Sequence, residues 1–408
     1  MRILQLHTKY QQPGGEDEVF AAETALLRQQ GHEVVPLTFH NRELDGLTPW
    51  RQAQITLWNH AAYRRVRRAI QIYKPHLVHI HNTFPLASPA VIHAAKDEGL
   101  PVVVSLHNPR LMCPSANFWY KGQICTRCLG KFFAWPGVVR RCYRSSRLYT
   151  IGVAFMVSLH RILGTWSRLV DMYIVFTEFY KNLFIQAGIP ENKIAIKPHF
   201  VIDPKGELLR WQNCRVIGLK KRENYVIFVG RLDPEKGIVT LVNAWKILHA
   251  QGLKAKLKIR GDGRLSSWLW QEVQNCSLNI EYVPRLPKGD LFKLIADAQF
   301  LVWPSEGWYE TFGLVAIEAF ACGTPVLASN IGVATCIVKD RITGLFFNPG
   351  DPLDLAAKVE WFFTHPQELA HMRQEARAEY EQKYTPERNY EILMEIYQLA
   401  ISKAKREI

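Results

Sequence analysis

No stretch of this 408-residue sequence stays apolar long enough to cross a bilayer. A spanning helix needs roughly 20 apolar residues, and the most apolar run, Ile151 to Leu159, is ended by His160 and Arg161. A secretory leader is also missing. Met1-Arg-Ile-Leu-Gln-Leu-His-Thr-Lys9 turns polar after a short apolar run and reads as a first β-strand, so a cytoplasmic chain is expected. There is no internal repeat or low-complexity tract. A composition of 48% hydrophobic and 22% charged residues is that of folded domains, which excludes wholesale disorder or a fibre. A G-x-G-x-x-G is lacking too, which argues against a nicotinamide or flavin enzyme. The net charge of +14 comes with no recognisable RNA or DNA module, so no nucleic-acid partner is expected.

The most local absence is of acids. From Arg110 to Arg168 there is no Asp or Glu, while Arg110, Lys121, Arg127, Lys131, Arg140, Arg141, Arg144, Arg147, Arg161 and Arg168 are all basic. Phe132, Phe133, Trp135, Tyr143, Tyr149, Phe155 and Trp166 are interleaved with them. A second cluster, Arg64-Arg-Val-Arg-Arg68, lies on an amphipathic helix ending near Lys74. Two readings stand side by side: a solvated basic face over buried aromatics, or a surface for anionic lipid headgroups that holds the chain peripherally on the inner face of a membrane. The same stretch carries four of the eight cysteines, as Cys113-x11-Cys125-x2-Cys128-x13-Cys142. Such a cluster in a reducing compartment suits either a structural zinc or metal-free thiols. Cys214, Cys276, Cys322 and Cys336 are scattered and read as ordinary thiols.

What is present points to two α/β domains. A single core rarely serves 408 residues. In the first half, β-rich runs at Ile3–Leu6, Val34–Leu37, Leu77–His81, Val102–His107 and Met172–Phe176 alternate with helical stretches. A second series follows at Val226–Val229, Leu257–Ile259, Ile280–Val283, Phe300–Trp303, Val326–Ala328 and Leu345–Phe347. That alternation predicts doubly wound parallel sheets, two Rossmann-like domains in tandem. Pro204, Gly206 and a polar run place the linker between Asp203 and Glu223. The expected domains are 1–205, with a basic Cys-containing insertion at about 109–170, and 206–385.

Ligands of such sheets bind outside the carboxyl ends of the strands, so loops there are the candidates. Glu310 follows the Phe300–Trp303 strand, and about Gly313 to Ala321 reads as a helix whose first turn offers free N–H groups to a phosphate. Glu318, seven intervening residues beyond Glu310, sits more than a turn into that helix. Two carboxylates so placed suit a sugar and a ribose with a diphosphate between them. They are equally describable as a loop acid and a helix-face acid. Gln12-Pro-Gly14-Gly15 opens a helix running to about Gln30, which a simple turn would also explain. His107 closes a strand where a buried structural histidine is also common, and His79 and His81 close the strand before it.

Read together, these segments resemble glycosyltransferase family 4, retaining enzymes of GT-B fold. The resemblance rests on Trp303-Pro-Ser-Glu-Gly-Trp-Tyr-Glu310-Thr-Phe-Gly-Leu-Val-Ala-Ile-Glu318 as the family's E-x7-E, on Val229-Gly-Arg231-Leu-Asp-Pro-Glu-Lys236-Gly237 as its Arg/Lys pair, and on Ile259-Arg-Gly261-Asp-Gly263 and Pro325-Val-Leu-Ala-Ser329. It covers essentially the whole chain. It implies a nucleoside diphosphate sugar as donor, a glycan or lipid-linked acceptor, and no required cofactor or metal. It assigns Glu310, Arg231, Lys236 and His107 to catalysis, and Gly15, Gly230, Phe312, Gly313, Leu314 and Glu318 to donor binding. It also implies that the final helix, 386–408, crosses back to the first domain. His199, in Lys197-Pro-His199, stands where the family more often has Asn. The alternatives are an inactive sugar-nucleotide-binding homologue, which would be expected to lose Glu310, Arg231 or Lys236, and a GT-B phosphorylase or epimerase. The base, the sugar and the acceptor are not encoded in these motifs.

Overall fold

The computed structural model describes residues 1–11, 14–205, 223–253, 255–284 and 286–406. They form two compact units, Met1–Phe118 with Cys125–Pro198 and Asn389–Ile408, and Trp119–Ile124 with His199–Arg388. The linker assigned to Asp203–Glu223 falls mostly on 206–222, outside the described residues. Cys214 lies outside them as well.

The first unit contains strands β1 (Arg2–Lys9), β2 (Glu33–His40), β3 (Leu77–Asn82) and β4 (Val102–Ser105). The two-residue strands β5 (Trp119–Tyr120) and β6 (Gln123–Ile124) come next in the chain and pair as a separate hairpin; β7 (Met172–Val175) and β8 (Ile194–Ile196) complete the first sheet. Its order is β2-β1-β3-β4-β7-β8, every neighbour parallel. The second unit builds β9 (Tyr225–Val229), β10 (Lys256–Arg260), β11 (Ile280–Val283), β12 (Leu301–Trp303), β13 (Val326–Ser329) and β14 (Gly344–Phe347). Their order is β11-β10-β9-β12-β13-β14, again all parallel. Both expected doubly wound sheets are therefore present, each of six strands.

The sequence reason is burial on both faces. Parallel strands between helical layers need continuous apolar runs, and every residue of β3, β4, β7, β12 and β13 is buried. Helices supply the covering layers. Helix Ile238–Ala250, for example, turns Leu241, Val242, Trp245 and Leu248 inward onto a core shared with Val226, Phe228 and Phe300. The strands β5, β6 and β8 were not anticipated, because two or three residues carry no readable period.

Strand order fixes where a ligand would sit. The chain reverses direction across the sheet between β1 and β3 in the first unit and between β9 and β12 in the second, and such switch points leave a crevice at the carboxyl ends of the flanking strands. The loops after β9 and β12 are those carrying Arg231, Lys236 and Glu310. Among the described residues no helix is long and apolar enough to cross a membrane.

Candidate functional site

In the second unit, three glycines let the loops at the switch point interlock. A Cβ on Gly261 would lie 1.7 Å from the Gly230 carbonyl oxygen, and one on Gly237 would lie 1.8 Å from that of Pro304. Gly237 also has φ of 71°, so the turn Pro234–Lys236 passes directly into helix Ile238–Ala250 with Lys236 held against the loop after β12. Gly313, φ 99°, caps helix Leu314–Ala321 with its Cα against the Trp303 ring, where a Cβ would come within 2.2 Å. No side-chain hydrogen bond caps that helix start, and an uncapped helix N-terminus suits an anion.

Within this frame the Lys236 ammonium is ion-paired to Oε1 of Glu310. Ser305, which receives the Trp303 indole N–H at 3.1 Å, stands 3.5 Å from the same carboxylate oxygen. Oε2 of Glu310 is buried with no hydrogen-bond partner among the described residues. Tyr309 lies between the cations, its ring centre 4.8 Å from the Arg231 guanidinium carbon and 5.7 Å from Lys236 Nζ. Burial, then the like charge of Arg231, pulls Lys236 down to about 7, opposed by Glu235 and Asp233; the Glu310 carboxylate paired with it favours the charged ammonium in addition. Arg231 has half its side chain exposed, 51%, which leaves a guanidinium edge available to a ligand.

Two acids of the same motif, which the sequence reading passed over, bind Arg231 and a third cation, Arg264. Asp233 pairs with Arg231 at 2.9 Å and accepts from Arg264 Nε at 2.9 Å; Glu235 accepts from the other arm of Arg264 at 2.9 Å. Burial would raise Asp233, but the Arg264 hydrogen bond and the Arg231 charge outweigh it and hold the carboxyl below its usual range. The Glu235 carbonyl accepts from the Glu306 amide at 3.0 Å, tying the two loops together. Glu318, on helix Leu314–Ala321, has Lys288 Nζ 3.8 Å from its carboxylate. Phe312 is buried edge-on to the His199 ring at 5.0 Å, so the unusual histidine packs against the glutamate loop.

The first unit places its candidates at the ends of β1, β3 and β4. Gly15 begins helix Gly15–Gln29, with Gly14 as its cap, and Gln12 and Pro13 of that loop lie outside the described residues. Glu16, which the sequence reading left unremarked, accepts from Asn108 Nδ2 at 3.0 Å, so the β1 loop meets the segment after β4. Burial raises the Glu16 carboxyl to about 7, against the Asn108 hydrogen bond and the charge of Arg110. His107 is buried, its Nε2 3.1 Å from His81 Nδ1. Burial and the neighbouring His79 push His81 down to about 4, so it is neutral near pH 7. His81 Nε2 lies 3.2 Å from a Glu23 carboxylate oxygen.

Behind His81 lies a buried charged network. Glu23 receives Lys197 Nζ at 2.9 Å, His79 Nδ1 at 3.1 Å and Gln5 Nε2 at 3.1 Å. Burial alone would raise Glu23, yet Lys197 and the two histidines hold it well below the carboxylate range. Helix Pro386–Arg406 joins this network: Asn389 Oδ1 accepts from Lys197 at 3.1 Å, and Tyr397 OH meets His79 Nδ1 at 2.8 Å. Glu23, His79 and His81 are the one trio of metal-capable groups, among the described residues, with ligand atoms within 4.8 Å of one another. Lys197 already supplies that trio's counter-charge. The thiols of Cys113, Cys125, Cys128 and Cys142 are free and do not form such a group. Burial raises Cys128 to about 12 and Cys142 to about 11, which favours the neutral thiol.

Residues 14–203 match the family model described as Glycosyltransferase Family 4, and residues 210–379 the model described as Glycosyl transferases group 1. An uncharacterized glycosyltransferase of Methanocaldococcus jannaschii is 32% identical over 225 residues, 53% of this chain and 57% of that protein. A D-inositol 3-phosphate glycosyltransferase of Rhodococcus jostii is 30% identical over 239 residues, 55% of this chain and 51% of that protein. The chain thus spans little more than half the length of these curated relatives. Among solved structures, Anabaena HepE in complex with UDP superposes with a TM-score of 0.67 at 18% identity, covering 97% of this chain and 99% of that one. Sucrose-phosphate synthase of Thermosynechococcus elongatus gives 0.68 at 19%, covering 98% and 100%. At such identities the structural likeness is one of fold.

Proposed function

This chain belongs to the glycosyltransferases of family 4 type, with GT-B architecture, and on that premise we propose that it is a retaining enzyme. It moves a sugar from a nucleoside diphosphate sugar to a glycan or lipid-linked acceptor, in cell-surface polysaccharide or glycolipid synthesis. The observation that carries this reading is the grouping of Arg231, Lys236 and Glu310 at the switch point of the second sheet. Two fixed cations and an uncapped helix start suit a departing diphosphate, and a carboxylate with one unpartnered oxygen suits sugar hydroxyls and positive charge at the anomeric carbon.

The bond from the anomeric carbon to the phosphate oxygen breaks while the acceptor oxygen bonds to the same face. The acceptor's proton passes to the departing phosphate oxygen. Arg231 and Lys236 supply the charge compensation for which other transferases use a divalent cation, so the reaction proceeds without one. Glu318 and Phe312 contribute on the nucleoside side.

The test is thermal shift against UDP, GDP, ADP and dTDP and their sugars, with Lys236→Met beside the parent. A ligand at a hundred times its dissociation constant stabilises by about 2.7 kcal/mol. Stabilisation of the parent by one nucleotide family, lost in Lys236→Met, is expected, followed by transfer that survives a chelator and keeps the anomeric configuration by NMR. No stabilisation by any of the panel would overturn the reading.

A further inference from the structure

Helix Arg147–Ile162 is apolar on two opposite faces. Its inner face, Val153, Ala154, Met156 and Val157, is buried within the first unit. Its outer face carries Leu148, Ile151, Phe155 and Ile162, which are 52%, 43%, 48% and 71% exposed. At 100° per residue these four fall on one narrow stripe. Beside it, helix Trp135–Val139 exposes Trp135 and Val139, and Phe132 stands out before it. The Phe132 carbonyl accepts from Ser158 Oγ at 2.7 Å and from Arg161, so the two helices present one continuous surface. A helix apolar on two opposite faces is normally covered on both, and contiguous exposed patches mark binding surfaces.

The rim identifies the cover. Lys131, Arg141, Arg144 and Arg147 are exposed around the patch, and no acid occurs anywhere from Arg110 to Arg168. Lys131 lies over the Trp135 ring at 5.7 Å, and Arg144 over Tyr143 and Tyr149 at 5.6 and 5.3 Å. Nucleic acid would match the cations but has no apolar phase for Ile151 and Phe155. A second copy would bring its own cations against these. The geometry points to an anionic lipid bilayer: the stripe enters the boundary between headgroups and acyl chains, and the cations rest on the headgroup phosphates. This inference does not depend on the sugar chemistry, and its assay contains no nucleotide.

Full-length protein is sedimented with vesicles of phosphatidylcholine containing about 30% phosphatidylglycerol, and with phosphatidylcholine alone, at 50 mM and 500 mM salt. Binding to the anionic vesicles at low salt is expected, with loss of about tenfold or more in neutral vesicles or high salt. The double variant Ile151→Asp/Phe155→Asp should lose about tenfold at unchanged circular dichroism and melting temperature, since both positions are exposed. The variant Arg141→Glu/Arg144→Glu should lose a similar factor. Absence of binding to anionic vesicles at low salt overturns the proposal. So does undiminished binding by the Ile151→Asp/Phe155→Asp protein, or a parental dimer that this variant converts to monomer.

Discussion

Replacing Glu16 by Gln should stabilise the first unit at alkaline pH and leave it unchanged at acid pH. Burial raises this carboxyl from 4.5 to about 7, a shift of about 2.5 units, equivalent to about 3 kcal/mol at 1.36 kcal/mol per unit. Below pH 4.5 both the folded and unfolded states hold the proton, and the group contributes nothing to the pH dependence. Between 4.5 and 7 the unfolded chain loses its proton first, so stability falls as pH rises. Above 7 the folded state carries the full penalty of a half-buried charge. Glutamine keeps an oxygen to accept the Asn108 hydrogen bond and carries no charge at any pH. The difference between variant and parent should therefore be under about 0.5 kcal/mol at pH 4.5 and about 3 kcal/mol at pH 8. For a unit of this size that corresponds to a rise of roughly 6–12 °C in the relevant transition at pH 8. Calorimetry at the two pH values measures it. An equal increment at both would show that packing, not ionisation, is responsible, and no increment at pH 8 would refute the reasoning.

Gly237→Ala should abolish nucleotide-induced stabilisation, because its Cβ meets the Pro304 carbonyl and displaces the turn bearing Lys236. Gly252→Ala, at φ 80° with nothing within 4 Å, provides the control: it bears only the left-handed strain, about 1 kcal/mol, and binds nucleotide normally. Both are read by melting temperature with and without ligand. Glu23→Gln leaves Lys197 buried without its counter-charge and should cost about 3–5 kcal/mol in unfolding experiments. Adding Lys197→Met should restore much of that loss, and a purely additive double variant would contradict the pairing.

The sheets were legible because parallel strands write themselves as nearly uninterrupted apolar runs, and β4, β7, β9 and β13 did so plainly. Arg231, Lys236 and Glu310 were legible because they sit at fixed offsets within short motifs. Their supports were less so. Arg264 reaches Asp233 and Glu235 from a different loop, and no local pattern shows that two acids of one motif will share a cation supplied by another. The Glu23–Lys197 pair was hidden for the same reason: each residue looks like ordinary surface charge until the sheet places helix Gly15–Gln29 beside the segment after β8.

The basic insertion shows a different limit. Its composition allowed either a lipid-facing surface or a solvated rim over buried aromatics, and both kinds of aromatic occur: Trp166 is 8% exposed and Trp135 56%. A helical wheel of Arg147–Ile162 gives apolar residues on both sides, so the wheel alone cannot say which side the protein covers. That is settled by the hydrogen bonds to Phe132 and the packing of helix Trp135–Val139, which turn Val153 and Val157 inward and leave Ile151 and Phe155 in water. An apolar stripe left outward by packing, with cations and no acids around it, is a demand for a partner that composition could state only as one of two choices.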